Sequence, residues 1–396
     1  MSISVLPLSY CANVHPGMTV KEVLQGLEVH TLSIQNFTTH PHAVGLWLAQ
    51  EVIEELNQSS ENRQDFVNWM KTHGLTTYTM NTFPYGNFHS ERVKENVYIP
   101  DWTTPERLQY TLDSAKLLTE LLPTGVEGSL STVPLGFKRL CIQPEFEAHC
   151  IKNLLQLTKE LDELHDLTGK VVRLAIEPEP LCVLETTAET IEFFHKLYAE
   201  AEKQDLLIEA QRHLGVCYDV CHQAVEFEDV ALSIQALNDA EIRINKVHIT
   251  CAIDLDLNDN ANEKLAQLKS FAEPRYLHQT FTQAADGSIH SIEDLTAEFV
   301  DTPSGPFASS SHWRVHFHVP VNAEAVGLLG TTRQELIQAL EVVASLDYAP
   351  HLEVETYTWS VLPGEEKGSI AEGIAEELNA THSILEQVKT TSQSPE

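Results

Sequence analysis

Carboxylate and imidazole side chains follow short apolar runs at several points of this sequence. Each run is long enough for one buried strand, and the polar residue stands where that strand would end. The residues at these positions are Glu177, Asp219, His248, His316, His318 and Glu355. An ionised carboxylate at the end of a buried strand is costly unless it is paired or bound to a metal. Five consecutive strands that end in this way favour a functional site over isolated structural polar groups.

Two glutamates, one aspartate and one histidine are a donor set for a divalent metal. We expect Glu177, Asp219, His248 and Glu355 to bind one ion, because four strand ends converge. Mixed oxygen and nitrogen donors suit Mn²⁺, Mg²⁺, Co²⁺, Fe²⁺ or Zn²⁺. His222, three residues after Asp219, is a further ligand, a partner of a ligand or a substrate contact.

The histidines two residues apart in the 313–319 run share one face of a strand. We expect His318 to bind a second metal and His316 to contact substrate, while the alternative of a half-buried barrel lining stays open. Trp359, just after Glu355, is a candidate for stacking on a ring-shaped ligand.

Two carboxylate pairs leave open which member faces the site. Alternation along a strand puts Glu177 and Glu179 on one face, and likewise Glu353 and Glu355. We favour Glu177, which directly ends its apolar run, and Glu355, which lies next to the following loop. Both are expected to be catalytic acid/base groups on opposed strands, the fourth and the eighth.

Strand-like runs alternate with long amphipathic helical segments along the chain. Eight strands are predicted, at 8–14, 75–82, 127–133, 171–176, 214–218, 244–250, 313–319 and 351–356. This alternation predicts an α/β protein with a parallel sheet, and eight strands close it into a (β/α)₈ TIM barrel. An open doubly wound sheet would show a glycine-rich loop after the first strand, which residues 11–17 do not provide.

Long loop insertions interrupt this regularity inside a single domain predicted over residues 1–390. Segments 33–57 and 84–104 lengthen the first two connections, and segment 252–312 is expected to be a lid over the barrel mouth. Two strand-like runs around Asp286-Gly287 predict a hairpin within that lid. Residues 391–396 are expected to be a disordered tail.

The charge of the chain excludes one class of partner. It has 25 Lys and Arg against 58 Asp and Glu, a net charge of −33 at pH 7. Such a field repels nucleic acid and anionic membranes, and no basic cluster counters it. No apolar run is long enough to span a membrane.

Seven scattered cysteines without a secretion signal predict reduced thiols and a cytoplasmic protein.

The set Glu177, Asp219-x-x-His222, His248 and Glu355 resembles the xylose isomerase-like barrel superfamily, which includes sugar isomerases, epimerases and endonuclease IV-type enzymes. A more specific similarity, to the EboE-type metabolite traffic family, lies in seven segments in order. They are SYCANVHPG, NTFPYGNFH, VKENVYIPDW, CYDVCH, RYLHQTF, HFHVP and LEVETYTWSVLP. This resemblance implies a TIM barrel often labelled a sugar phosphate isomerase or epimerase. It also implies a role in moving a secondary-metabolite precursor, with other proteins of the same gene cluster as partners.

The resemblance also implies roles for individual residues. Glu177, Asp219, His248 and Glu355 match the positions that bind one divalent metal in the isomerases, where both glutamates act on substrate protons. His222 matches a residue beside that metal. The endonuclease-like members add histidines, for which His15, His89 and His318 are candidates, and we expect His15 and His89 to contact substrate. The residues after His248 depart from the epimerase pattern, because 251–254 contain no arginine.

Three functions fit these residues. The first is a metal-dependent isomerase or epimerase acting on a small hydroxylated carbonyl metabolite. The second is a protein that binds and transfers a metabolite without turnover. The third is a phosphoesterase of the endonuclease type.

Overall fold

A computed structural model describes residues 3–363 and 368–391 of the chain. The disordered tail expected at 391–396 lies outside the described residues, apart from residue 391.

Eight parallel strands close into a barrel, which confirms the predicted (β/α)₈ fold. The barrel strands are β1 (Leu8–Cys11), β2 (His42–Trp47), β3 (Thr79–Asn81), β4 (Gly128–Thr132), β5 (Val172–Ile176), β6 (Leu214–Asp219), β7 (Ile244–Ile249) and β14 (His351–Val354). Their order around the barrel follows the chain, and β14 closes the ring by pairing with both β7 and β1. His248 of β7 lies in register with Asp219 of β6 on one side and Glu353 of β14 on the other.

A second sheet of six strands stands between β7 and β14 in the sequence. It comprises β8 (Cys251–Asp256), β9 (Thr280–Gln283), β10 (Ile289–Ile292), β11 (His312–Val319), β12 (Ala325–Val326) and β13 (Leu329–Thr331). Strands β9 and β10 form the hairpin predicted around Asp286-Gly287, and Gly287 adopts a φ of 85° at its turn. Segment 252–312 is therefore part of a sheet rather than a simple flap.

Most helices surround the barrel, while two pack beside the second sheet. The helices are α1 (Val20–Gly26), α2 (Leu32–Ile34), α3 (Gln50–Asn57), α4 (Ser60–Thr72), α5 (Pro105–Leu121), α6 (Phe146–Thr168), α7 (Thr187–Lys203), α8 (Leu207–His213), α9 (Val220–Val225), α10 (Val230–Asp239), α11 (Ala261–Leu268), α12 (Ala297–Asp301), α13 (Arg333–Val343) and α14 (Ile370–Thr391). Those beside the second sheet are α11 and α12. None of the helices in the described part of the chain is long and apolar enough to cross a membrane.

The strand count is confirmed, but two assignments within it were wrong. Strand β2 lies in segment 33–57, which the sequence presented as a connection, and the 313–319 run belongs to β11 of the second sheet. Residues 43–49 are all buried, so they show no alternation that would separate a strand from a helix. Glu177 therefore follows the fifth barrel strand and not the fourth, and it does not lie on a strand opposed to β14.

Candidate metal centre

Four predicted residues meet at the carboxyl ends of adjacent barrel strands. Glu177 follows β5, Asp219 ends β6, His248 lies near the end of β7, and Glu355 follows β14. One donor atom from each lies within 4.8 Å of all the others, and the four side chains are buried. Strand polarity explains this convergence, because parallel strands deliver their last residues to one rim of the barrel.

The imidazole of His248 stands at the centre of the group. Its Nδ1 lies 2.8 Å from Glu177 Oε1, 3.1 Å from Glu355 Oε2 and 3.6 Å from Asp219 Oδ2. Three carboxylates thus face a single ring nitrogen, inside a part of the protein that solvent does not reach. Buried carboxylates at this density need positive charge beyond one imidazole.

The donor set fits a divalent ion. Oδ2 of Asp219 is buried and has no hydrogen-bond partner among residues 3–363 and 368–391. An oxygen atom in this condition is available to a cation, and three carboxylates with one imidazole match the preferences of Mn²⁺, Mg²⁺, Co²⁺, Fe²⁺ and Zn²⁺.

Neighbouring side chains fix the carboxylates. The amides of Asn13 and Asn81 both donate to Glu355 Oε1, at 2.8 and 2.9 Å, which leaves Oε2 directed at His248. Asp219 Oδ1 accepts from the Thr250 hydroxyl at 2.6 Å, so its Oδ2 is the oxygen that faces the site. In Glu355 and in Asp219, hydrogen bonds to one carboxylate oxygen thus orient the other oxygen toward the site.

An ion pair lies one layer below, inside the barrel. Lys246 Nζ is 2.5 Å from Glu353 Oε2, and both side chains are fully buried. The same Glu353 oxygen accepts from Nε2 of His248 at 3.2 Å. A Cβ at Gly45 of β2 would lie 1.4 Å from Glu353 Oε1, so the glycine leaves the space that this carboxylate fills. Glu353 thus faces inward as Glu355 does, but it binds His248 from the far side.

Three further histidines form a second group beside the first. His222 Nε2 lies 3.1 Å from His316 Nε2 and 3.9 Å from Asp219 Oδ2. His318 Nε2 lies 4.0 Å from the same aspartate oxygen. The structure therefore brings His222, His316 and His318 to the site, although the last two come from β11 and not from a barrel strand.

Burial and neighbouring charges shift the pKa values of these groups. Burial raises the pKa of Glu177, against the lowering effect of His248. It also lowers the pKa of His222, His316 and His318, which favours neutral imidazoles. For Asp219, burial acts upward, but the surrounding histidines lower its pKa and keep it ionised.

A cavity opens above these groups. Its polar lining includes Glu177, Glu179, Glu355 and the three histidines, and its apolar lining is mostly aromatic. The aromatic residues of the lining are Phe83, Phe88, Tyr98, Tyr276 and Tyr357. Tyr276 and Leu277 come from segment 252–312, so the second sheet supplies part of the wall. An apolar, aromatic wall with a few convergent polar groups is typical of a small-molecule site.

Three predicted substrate contacts lie elsewhere. His15 stacks on His30 with ring centroids 4.5 Å apart, and it is not among the described residues that line the cavity. His89 Nε2 binds the backbone oxygen of Asn13 at 2.8 Å, so it supports a residue that holds Glu355. Trp359 Nε1 donates to Glu377 Oε2 at 2.9 Å, on the outer side of the rim.

Sequence reasoning missed several residues of the site. Asn13 and Asn81 stand inside two quoted segments, SYCANVHPG and NTFPYGNFH, where the histidines and aromatics drew attention instead. Lys246 was detectable, because a lysine two residues before His248 in an apolar strand must point into the barrel with it. Glu179 binds the Tyr98 hydroxyl at 2.7 Å and lines the cavity.

Comparison with known proteins identifies the fold. No protein family model matches the sequence, and no curated protein matches it. The chain is similar to the structure of an L-ribulose 3-epimerase, with 11% identity, a TM-score of 0.50 and 100% of both chains covered. It is also similar to a D-tagatose 3-epimerase-like protein, with 12% identity, a TM-score of 0.49, and 98% of this chain and 100% of that chain covered.

A third similar structure is a xylose isomerase-like TIM barrel protein from Mycobacterium smegmatis in complex with magnesium. It has 13% identity, a TM-score of 0.45 and 100% of both chains covered. At these identities a likeness concerns the fold alone. The likeness to the L-ribulose 3-epimerase thus agrees with the closed barrel described above, and the chain shares the fold of that enzyme over its full length.

Proposed function

We propose that this protein is a metal-dependent isomerase or epimerase acting on a small, uncharged, hydroxylated carbonyl metabolite. The observation that carries the proposal is the convergence of Glu177, Asp219, His248 and Glu355 below an aromatic-walled cavity. A divalent ion held by these four residues would act as a Lewis acid on the carbonyl and hydroxyl oxygens of the substrate. The reaction class is also that named for the epimerase whose fold the chain shares.

The protein supplies the groups for proton transfer. Glu177 lines the cavity and keeps Oε2 free of hydrogen bonds within the described part of the chain, so this oxygen can accept a carbon-bound proton. Burial raises the pKa of Glu177, which makes it a stronger base once ionised and a usable acid once protonated. Glu355 also lines the cavity and is the second carboxylate of the proposed pair.

The cavity favours an uncharged substrate. Lys94 is the one lysine or arginine among the described residues that line it. Its ammonium donates to Asp294 Oδ2 at 2.7 Å and to the carbonyl oxygens of Tyr276 and Glu273 at 2.6 and 3.2 Å. An ammonium has three N–H groups, so none is left for a phosphate or carboxylate. The aromatic wall suits the apolar face of a ring or polyol.

Hydrogen exchange tests the proposed reaction. The metabolite that copurifies with the protein is identified by mass spectrometry and incubated with the metal-loaded enzyme in D₂O. We expect deuterium at a carbon next to the carbonyl, and we expect Glu177→Gln to abolish it while metal stays bound. The matched control is Asp162→Asn, which alters a carboxylate beside His213 on the outside of the barrel. Tight binding without any exchange would instead support a carrier.

A phosphoesterase is the weaker alternative. The net charge of −33 opposes binding to a polyanion. The ammonium of Lys94 in the cavity already donates its hydrogen bonds to protein acceptors. We expect no cleavage of abasic DNA at physiological salt. Cleavage that disappears in Asp219→Asn would refute this expectation.

We also propose that segment 252–312 controls access to the cavity, as part of a single domain. It follows β7, which carries His248, and it contributes Tyr276 and Leu277 to the cavity wall. Bound metal and metabolite should slow proteolysis within this segment. Equal cleavage rates with and without them would contradict a lid.

The role in metabolite traffic belongs to the same proposal. Its support is the resemblance of seven sequence segments to the EboE-type family. On this proposal the protein acts in the cytoplasm, and its partners are other proteins encoded in the same gene cluster. Affinity capture of the tagged protein from its native host, with the products of neighbouring genes as the expected proteins, tests this role.

A further inference from the structure

Arg107 is a fully buried cation near the start of α5, a helix that packs against β3 and β4. Its guanidinium binds backbone oxygens instead of a carboxylate. Nε donates to the carbonyl oxygen of Pro100 at 2.8 Å, and Nη1 donates to those of Thr82 and Phe83 at 2.6 and 3.0 Å. Within the part of the chain that the structure describes, Nη2 has no acceptor.

A buried guanidinium of this kind contributes little to stability. Burial disfavours the charge and lowers the pKa of Arg107 to about 10. The rings of Tyr85 and Tyr110, with centroids 5.7 and 5.9 Å from the guanidinium carbon, offset part of that cost. Replacement of buried charged groups by well-packed apolar side chains is often neutral or stabilising. What an apolar side chain lacks is the planar set of donors, which holds backbone oxygens at fixed positions.

Two of the carbonyl oxygens that Arg107 holds belong to the residues directly after Asn81. Asn81 Oδ1 accepts from the backbone N–H of Phe83 at 2.9 Å. Because that N–H only donates, the amide oxygen of Asn81 faces Phe83, and its Nδ2 faces Glu355 Oε1, 2.9 Å away. The backbone conformation of residues 82–83 therefore sets the direction in which Asn81 donates.

We propose that Arg107 is a positioning residue of the candidate metal centre. It fixes the backbone of Thr82 and Phe83, this backbone orients Asn81, and Asn81 holds Oε1 of Glu355 so that Oε2 is directed at the centre. Arg107 is not among the described residues that line the cavity, so it acts through Asn81 and not on substrate. The inference rests on the proposed function, because it concerns the metal that this function requires.

A double-mutant cycle with Mn²⁺ as the probe tests this role. Arg107→Lys keeps the charge but loses the planar fork, and Asn81→Ala removes one bond to Glu355. We expect Asn81→Ala to weaken Mn²⁺ binding by about 10-fold and Arg107→Lys to weaken it by at least about 3-fold. In the Asn81→Ala background, Arg107→Lys should have no further effect, because its influence passes through Asn81.

The matched control is Arg173→Lys, the same substitution at an arginine that binds Glu127 at the opposite end of the barrel. It should leave Mn²⁺ affinity unchanged. An equal loss of affinity from Arg107→Lys in both backgrounds, or none in either, would refute the proposal. Arg107→Gln, which keeps N–H donors without the charge, is the second variant if Arg107→Lys does not fold.

A measurement without metal separates this proposal from the proposed function. The side-chain amide of Asn81 gives a nitrogen-15 NMR signal that is assigned by its loss in Asn81→Ala. We expect its protons to exchange with D₂O at least about 10-fold faster in Arg107→Lys than in the wild type or in Arg173→Lys. Equal exchange rates would refute the role of Arg107 whether or not Mn²⁺ binds. Faster exchange in a protein that binds no Mn²⁺ would refute the proposed function and leave Arg107 as the residue that orients Asn81.

Discussion

The hydrogen bond from His248 to Glu353 should set the metal affinity of the candidate metal centre. It leaves Nδ1, which lies 2.8 Å from Glu177 Oε1, as the ring nitrogen that would bind the metal. Two double variants isolate this bond, Lys246→Met with Glu353→Gln and Lys246→Met with Glu353→Met. Both lack the buried ion pair, and they differ in the oxygen that accepts from His248. Replacement of a buried ion pair by uncharged groups is compatible with folding.

The size of the expected effect follows from the contact of Glu353 with His248, a candidate metal ligand, on the side of the ring away from the metal centre. Removal of such a partner costs about 10- to 100-fold in metal affinity, which corresponds to about 1.4 to 2.8 kcal/mol. The methionine double variant should therefore bind Mn²⁺ at least about 10-fold more weakly than the glutamine double variant. Mn²⁺ is the appropriate probe because it suits a donor set of three carboxylates and one imidazole.

The assay is a competition titration of Mn²⁺ against a chelator, after circular dichroism has confirmed that both variants fold. Equal affinities in the two variants would refute the reasoning, since the acceptor oxygen is the difference between them. A second measurement uses the wild type alone. Nitrogen-15 NMR of the zinc-loaded protein should show the proton of His248 on Nε2, and a proton on Nδ1 would equally refute it.

Two further predictions concern stability. Gly45→Ala should destabilise the protein by about 1 to 3 kcal/mol in urea unfolding, because its Cβ would lie 1.4 Å from Glu353 Oε1, whereas Gly86→Ala meets nothing within 4 Å and should be neutral. Burial raises the pKa of Glu377 from 4.5 to about 7. The native state then binds more protons than the unfolded state between these pH values, so the unfolding free energy should fall by up to about 3 kcal/mol as pH rises through this window. Glu377→Gln should remove that part of the pH dependence, and an unchanged pH profile would contradict the shift.

The convergence of the four candidate ligands was predictable because it depends on local sequence pattern and on strand polarity. Glu177, Asp219 and His248 each stand at or near the end of an apolar strand, and parallel strands bring those ends together whichever strands are neighbours. The error in strand membership therefore left the predicted cluster intact. His316 and His318 reach the same cluster for a different reason, since they lie on a long antiparallel strand of the second sheet.

Strand membership itself could not be read from the sequence. The buried run of β2 carries no alternation, and α3 begins at Gln50, three residues after β2 ends, so the two elements form one apolar stretch. The β11 run alternates as a barrel strand would, and its antiparallel partners β8 and β9 are defined by distant residues. Pairing between distant strands is a property of the whole fold, so a short stretch of sequence does not indicate it.

The roles of the individual carboxylate oxygens also depend on contacts between residues that are far apart in the sequence. Glu355 Oε1 is held by Asn13, 342 residues away, and by Asn81, 274 residues away, whereas Glu177 Oε2 has no hydrogen-bond partner in the described ranges. Two glutamates that look equivalent in sequence are therefore different in chemistry. One has an oxygen tied by two amides and the other directed at His248, which suits a metal ligand. The other glutamate keeps one oxygen for the ion and one free for a substrate proton, which makes Glu177 the better placed base.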